Sequence, residues 1–243
     1  MGRVIRVHIP PTQVGDETAI SREDVHHLEQ VLRLAGGVTI EGFDGEGGWY
    51  RGVFCPGGPT GGRFRVTETG REDDTAKASV SLGLALIRPE PMEWAIQKAT
   101  ELGCRQLFPL ISHHVSRRDA AQYIRGRLPR WERIVRESMK QCRRNTVMDI
   151  APPVTATDFF QQAWFGRRLL LHPLSERAAT AWWRRAGADS SCLVAIGPEG
   201  GWSEAEVDLA RNQGFECFGL GETILRTETA ALAVLAVLQL AGE

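Results

Sequence analysis

No stretch of this 243-residue chain is apolar for the length of a membrane-spanning helix. Its amino terminus lacks the hydrophobic segment of a secretory signal, and Arg6 stands where a myristoylation signal needs Ser or Thr. The expectation is a cytoplasmic protein without a membrane anchor. Cysteine is sparse: Cys55, Cys104, Cys142, Cys192 and Cys217 are odd in number and never form Cys-x-x-Cys, which argues for a reducing compartment and against zinc. His-Glu-x-x-His, Gly-Lys-Ser/Thr and Gly-x-Gly-x-x-Gly are absent, so zinc-protease, P-loop and Rossmann readings find no support, and no metal is expected. A net charge of −1 gives no global signature of a nucleic-acid binder. Lysine is almost missing, with Lys77, Lys98 and Lys140 alone among 29 basic residues. With 42% hydrophobic and 24% charged residues, the chain has ample material for a core.

The pattern divides near position 72. Residues 1–72 carry short alternating strands at Val4–Ile9, Val38–Phe43, Trp49–Cys55 and Arg63–Thr69, broken by glycine turns, which reads as a small barrel. Within them Ser21-Arg22-Glu23-Asp24 opens a helix through Leu34, which Gly36-Gly37 stops. This part has seven arginines against nine acidic residues up to Gly70, so it shows no basic stripe. Polar residues 71–79 read as a linker. From there to residue 243 strands alternate with helices, which implies an α/β domain with a parallel sheet. Its elements are strands at Val80–Ile87, Leu107–Ile111 and Arg168–His172, and helices along Met92–Leu102 and Asp158–Trp164.

The most informative stretch is Leu193–Leu240. A buried strand at Leu193–Ile196 runs into Gly197-Pro198-Glu199-Gly200-Gly201, a loop whose missing side chains let backbone groups approach a ligand. Ser203-Glu204-Ala205-Glu206 is a capping box for a helix over Glu204–Gln213, with Trp202 and Val207 placed as a hydrophobic staple. A strand at Phe215–Leu220 leads to a second glycine loop at Gly221. The two loops are expected to leave neighbouring strands on one sheet edge, where open α/β sheets bind ligands. Tight turns alone would also explain the glycines. The tail from Thr229 to Ala241 is apolar nearly all round, so a subunit interface beyond the core is expected.

Positive charge is concentrated between Arg117 and Arg144, where ten basic residues face three acidic ones, a net of +7. An excess of this size on a neutral chain favours phosphate contacts, and Arg117, Arg118, Arg125, Arg136, Arg143 and Arg144 are the candidate RNA-binding residues. A solvated helix face accounts for part of it. His172 and His113-His114 lie just past strand ends and read equally as structural or functional.

Gly-Pro-Glu-Gly-Gly followed by Leu220-Gly221 and Ile224-Leu225-Arg226-Thr227-Glu228-Thr229-Ala230-Ala231 resembles the RsmE family of the SPOUT superfamily, which methylates uridine N3 in 16S rRNA with S-adenosylmethionine. Lys98-Ala99-Thr100-Glu101-Leu102-Gly103, Leu171-His172-Pro173 and the His26-His27-Leu28-Glu29-Gln30-Val31-Leu32-Arg33 run resemble the same family, so the likeness covers almost the whole chain. Lys140-Gln141-Cys142-Arg143-Arg144 departs from the family's Glu-Gln-Cys/Ser-Gly-Arg, with an acid and a glycine replaced by basic residues, and no catalytic acid is assigned there.

The resemblance implies a PUA-like β-barrel that binds RNA, a SPOUT sheet ending in a trefoil knot, and a homodimer acting on 16S rRNA of the 30S subunit. It also implies a cofactor site at Leu171, His172, Ile196, Gly197, Glu199, Gly200, Gly201, Leu220, Gly221, Ile224, Leu225 and Thr227. Arg226 is the candidate for stabilising the base anion or gripping a phosphate, and Glu228 or Glu199 the candidate base. An intramolecular Arg226–Glu228 pair that pins the loop is the structural alternative. A SPOUT ribose 2′-O-methyltransferase on tRNA or rRNA, and a non-catalytic RNA-binding assembly factor, are the competing functions.

Overall fold

The computed structural model describes residues 4–57, 61–72, 79–115, 120, 123–173, 175 and 191–240. It separates into two compact units, one of residues 1–74 with 139–147, the other of residues 75–138 with 148–243. The nine residues from Met139 to Val147 thus join the amino-terminal unit, although the sequence pattern assigns them to the second domain.

The first unit is a five-stranded sheet in the order β1-β3-β4-β5-β2 among the described residues. Its strands are β1 (Arg6–His8), β2 (Glu17–Ala19), β3 (Thr39–Phe43), β4 (Gly48–Cys55) and β5 (Arg63–Arg71). β1 runs parallel to β3, and the other pairings are antiparallel. Alternating residues of these strands, Val7, Ile40, Phe54 and Phe64 among them, close on Leu28 to make the core. Helix α1 (Arg22–His26) starts where expected, with the Ser21 hydroxyl accepting from the Asp24 N–H, but it then widens into a π-helical turn over His27–Val31. The helix therefore ends before Gly36-Gly37. β2 escaped the sequence pattern because three residues with no buried side chain show no alternation.

Arg6 ties residues 139–147 to this unit. Its guanidinium donates to the carbonyls of Met139 and Arg144 and to Oδ1 of Asn145, and it lies 4.7 Å from the Phe43 ring centroid. Burial lowers its pKa from the usual guanidinium value, opposed by nearby Glu41. Lys140, in the place of the family's acid, gives Asp24 a 2.5 Å ion pair. Arg143, in the place of the family's glycine, has φ +64°, a left-handed conformation that glycine adopts without cost.

The second unit is an α/β layer structure around a parallel sheet of seven strands among the described residues, in the order β12-β10-β11-β6-β7-β8, with β9 also on β7. The strands are β6 (Val80–Ala85), β7 (Gln106–Ile111), β8 (Asp149–Ile150), β9 (Val154–Thr155), β10 (Arg167–Leu171), β11 (Cys192–Ile196) and β12 (Glu216–Phe218). The two-residue strands β8 and β9 are too short to leave a periodic signal. Helices α2 (Pro89–Glu101), α3 (Arg127–Cys142), α4 (Ala156–Gln161), α5 (Glu204–Asn212) and α6 (Thr227–Leu240) complete it. β11 is buried at every position because it lies between β10 and β6 with both faces covered. An aromatic cluster of Phe108, Phe159, Phe160, Trp164, Trp202 and Phe215 packs at 5.0–6.2 Å between ring centroids on one side. On α6, Ala231, Val234 and Leu235 are buried, and the helix packs on α2, β6 and β11. Its apolar tail is thus accounted for largely within the chain.

Candidate active site

The two glycine loops leave β11 and β12, which are not neighbours as expected: β10 lies between them. The chain passes from β11 through α5 and returns on the far side of β10, a crossover that sequence order cannot reveal. All three strands are parallel, so the loops still share one edge. The loop after β10 brings Leu171, His172 and Pro173 to the same place.

These three loops and the start of α6 enclose a cavity. Leu171 and His172 line it from β10, then Ile196, Gly197, Glu199, Gly200 and Gly201 from β11, and Leu220, Gly221, Ile224, Leu225 and Thr227 from beyond β12. Every expected cofactor-binding position is on this wall. Trp202, Phe218, Thr223 and Ala230 are there too, and sequence reading missed them. Trp202, expected from the sequence as a helix staple, joins the aromatic cluster and also walls the cavity.

Local chemistry holds the loops. The Ser203 hydroxyl caps α5 and Glu206 reaches back to the Ser203 N–H at 2.9 Å, the full capping box. The same carboxylate accepts the His113 N–H at 2.8 Å, which fastens the loop after β7 to the start of α5. Thr227 donates its hydroxyl to the Gly197 carbonyl at 2.9 Å, joining α6 to the β11 loop. Gly197 lets the backbone lie close under Trp202, since a Cβ there would crowd the Trp202 ring at 3.0 Å. Gly221, at φ +123°, occupies backbone space that side chains avoid.

Arg226 and Glu228 are not on the cavity wall itself, and they form no ion pair with each other. Arg226 is exposed, while its carbonyl accepts the Ala230 N–H inside α6. Glu228 is half-buried in the first turn of α6; its Oε2 is sealed from solvent and accepts no hydrogen bond among the described residues. The Trp202 Nε1–H is likewise buried without an acceptor among them. Such atoms are costly to leave unpaired, and they mark places where a bound group would find a partner. Glu199 lies 3.5 Å from the Arg88 guanidinium.

The basic region divides. Arg117 and Arg118 lie outside the described residues. Arg125 is exposed and Arg136 half-buried, both in the second unit, whereas Arg143 and Arg144 belong to the first. Part of the charge is spent locally: Arg130 makes a two-pronged pair with Glu93 at 2.5 and 2.6 Å and holds that carboxyl below its usual pKa. Arg127 stacks 4.6 Å from the Tyr123 ring, whose phenol burial pushes up to about 12. No cluster of three or more metal-ligating side chains occurs among the described residues. No helix there is long and apolar enough to cross a membrane.

Residues 74–239 match the RNA methyltransferase domain family. The chain is 30% identical over 235 residues to ribosomal RNA small subunit methyltransferase E of Synechocystis, covering 95% of this chain and 76% of that one. It is 31% identical to the Bacillus subtilis protein of the same name, over 90% of this chain and 88% of the other. The chain belongs to the RsmE family of RNA methyltransferases. Solved relatives agree. A Legionella pneumophila protein solved in complex with S-adenosylmethionine superposes with a TM-score of 0.89 at 29% identity, covering 99% of this chain and 98% of that one. The RsmE of Neisseria gonorrhoeae, also bound to S-adenosylmethionine, gives 0.85 at 28% identity, over 98% and 97%. The departures from the family's wording, at Lys140 and Arg143, lie in the first unit and are not lining residues of the cavity.

Proposed function

We propose that this RsmE-family chain methylates N3 of a uridine in 16S rRNA, with S-adenosylmethionine held in the cavity at the carboxyl edge of β10, β11 and β12. The observation that carries the reading is a cavity wall with glycine-bearing loops at Gly197–Gly201 and Leu220–Gly221, in a chain of this family. The donor set suits the cofactor. Leu171, Ile196 and Leu225 offer apolar surface to an adenine ring, and exposed peptide groups and the unpaired Trp202 Nε1–H suit polar ends. The cofactor, once bound, supplies an electrophilic methyl on a sulfonium, so no metal is required.

The chain's own work is to orient the uracil and to move one proton. The N3–H proton passes to a carboxylate, for which Glu228 is the better candidate: its Oε2 has unused accepting capacity, while Glu199 already faces Arg88. Negative charge then spreads onto the uracil oxygens, and the exposed Arg226 guanidinium is the group to stabilise it. The substrate base must be unpaired or flipped to reach this edge.

The finer architecture belongs to the same proposal. The first unit is a PUA-like barrel that binds RNA, with Arg143 and Arg144 among its contacts; the second carries a trefoil knot and the RNA contacts Arg125 and Arg136. The enzyme works in the cytoplasm as a homodimer on the 30S subunit. Ile224, 82% exposed at the cavity, supports a partner surface there.

The test is nucleoside analysis of small subunits from a strain lacking the enzyme, incubated with this protein and S-adenosylmethionine. New 3-methyluridine supports the reading. A ribose-methylated nucleoside instead overturns the substrate. Glu228→Gln is expected to keep cofactor affinity and lose methyl transfer; normal transfer would remove Glu228 from the reaction.

A further inference from the structure

The sheet order separates two jobs. The cavity is lined from β10, β11 and β12, on one side of the β11 loop. On the other side of β11 lie β6 and then β7, parallel to it, so the segments that follow them emerge at the same edge. Each carries one exposed side chain to one of two adjacent residues of the cavity wall, Glu199 and Gly200. Arg88, between β6 and α2, lies 3.5 Å from Glu199. His114, beyond β7, stands beside Gly200: a Cβ built on that glycine would lie 3.8 Å from His114 Cδ2. The His113 and His114 rings meet edge to face with centroids 5.4 Å apart. Their loop is fixed, because Glu206 accepts the His113 N–H from the base of α5.

We propose that the acceptor nucleotide enters over the carboxyl ends of β6 and β7, and that Arg88 and His114 grip it there, Arg88 by a phosphate and His114 by the face of a base. This rests on the methyltransferase reading above and adds the route and the contacts of the substrate. Chemistry matches each role. A guanidinium forks onto phosphate oxygens, and its present partner is easily exchanged, since the Arg88 and Glu199 side chains are 73% and 55% exposed and such pairs are weak. Unstacked RNA bases settle on aromatic and imidazole rings. The two side chains border the β11 loop on the side away from β10 and β12, which puts the nucleotide against the donor without crowding it.

The experiment compares wild type with Arg88→Ala, Arg88→Lys, His114→Ala and His114→Phe. It measures S-adenosylmethionine affinity by calorimetry and total methyl incorporation into small-subunit RNA, as KM and kcat, between 50 and 200 mM salt. Arg88→Ala is expected to raise KM on the order of tenfold and to flatten the slope of log KM against log salt by about 0.7–0.9, one phosphate contact, while Arg88→Lys keeps the slope. His114→Ala is expected to raise KM on the order of tenfold, with the slope intact and His114→Phe close to wild type. Cofactor affinity stays within about twofold throughout. Unchanged KM in either alanine variant, or cofactor affinity that falls in step with turnover, overturns the assignment. Incorporation is counted at any nucleoside, so wild-type product other than 3-methyluridine defeats the functional reading without touching this one.

Discussion

Arg143 pays a conformational cost that can be measured. It follows the last residue of α3 at φ +64°, where its own N–H still donates to the Met139 carbonyl at 3.1 Å. A left-handed conformation costs an L-residue roughly 1–2 kcal/mol because Cβ crowds the following carbonyl. Arg143→Gly removes that cost but returns about 0.4–1 kcal/mol to the unfolded chain as extra freedom. The net gain is on the order of 0.5–1 kcal/mol, or a rise of about 1–4 °C in Tm for a chain of this size. The exposed guanidinium also opposes the buried Arg6 charge, a minor repulsion that any neutral replacement relieves. Arg143→Ala isolates the backbone part, since it removes the charge and keeps Cβ. Thermal unfolding by calorimetry should therefore rank glycine above alanine by about 0.5 kcal/mol or more. Equal or reversed order would refute the strain argument. If Arg143 also grips RNA, the glycine variant gains stability while its KM for small subunits rises, the trade expected where strain serves a site.

Three further outcomes are expected. Gly221→Ala should weaken S-adenosylmethionine binding on the order of tenfold, because φ +123° costs a side chain roughly 1–3 kcal/mol and the loop must shift; calorimetric affinity equal to wild type would show the loop tolerates it. Glu206→Ala strips the α5 cap and the His113 N–H of their shared partner, and should lower stability by about 1–3 kcal/mol in denaturant titration, with Glu206→Gln losing less. Burial pushes the Cys192 thiol up to about 12 from an ordinary 9.0, so the folded chain keeps its proton where the unfolded chain loses it. Stability from this group is complete below pH 9 and declines by up to about 1.4 kcal/mol per unit above it, a loss that Cys192→Ala should reduce in unfolding measured from pH 8 to 10.5.

Long elements with a strong pattern were legible in the chain. The capping box at Ser203 and Glu206, the helix it starts and the buried run of β11 all follow from residue types and spacing. So do the two glycine loops, because a loop that must bring its backbone to a ligand advertises itself by lacking side chains. What connects them was not legible. That β10 separates β11 from β12 is decided by long-range packing of short apolar strands, any of which could pair with the others. The transfer of Met139–Val147 to the first unit depends on Arg6, whose partners lie more than 130 positions away and are mostly carbonyls, and carbonyls carry no residue signature. Arg88 and His114 were hidden for a related reason: single side chains mean little until the sheet order sets them beside one loop.

That exchange of residues between units bears on how the polypeptide is made. A fragment released near residue 74 would present Arg6 with a vacant cradle, its guanidinium buried against Phe43 without the carbonyls of Met139 and Arg144. During synthesis the amino-terminal unit must therefore wait, its sheet translated but Arg6 unpartnered, while about seventy further residues are added, and distant closures of this kind slow folding. The amino-terminal unit, first to emerge from the ribosome, cannot finish on its first seventy-four residues alone; its completion is timed by Met139–Val147, which begins in the last turn of α3.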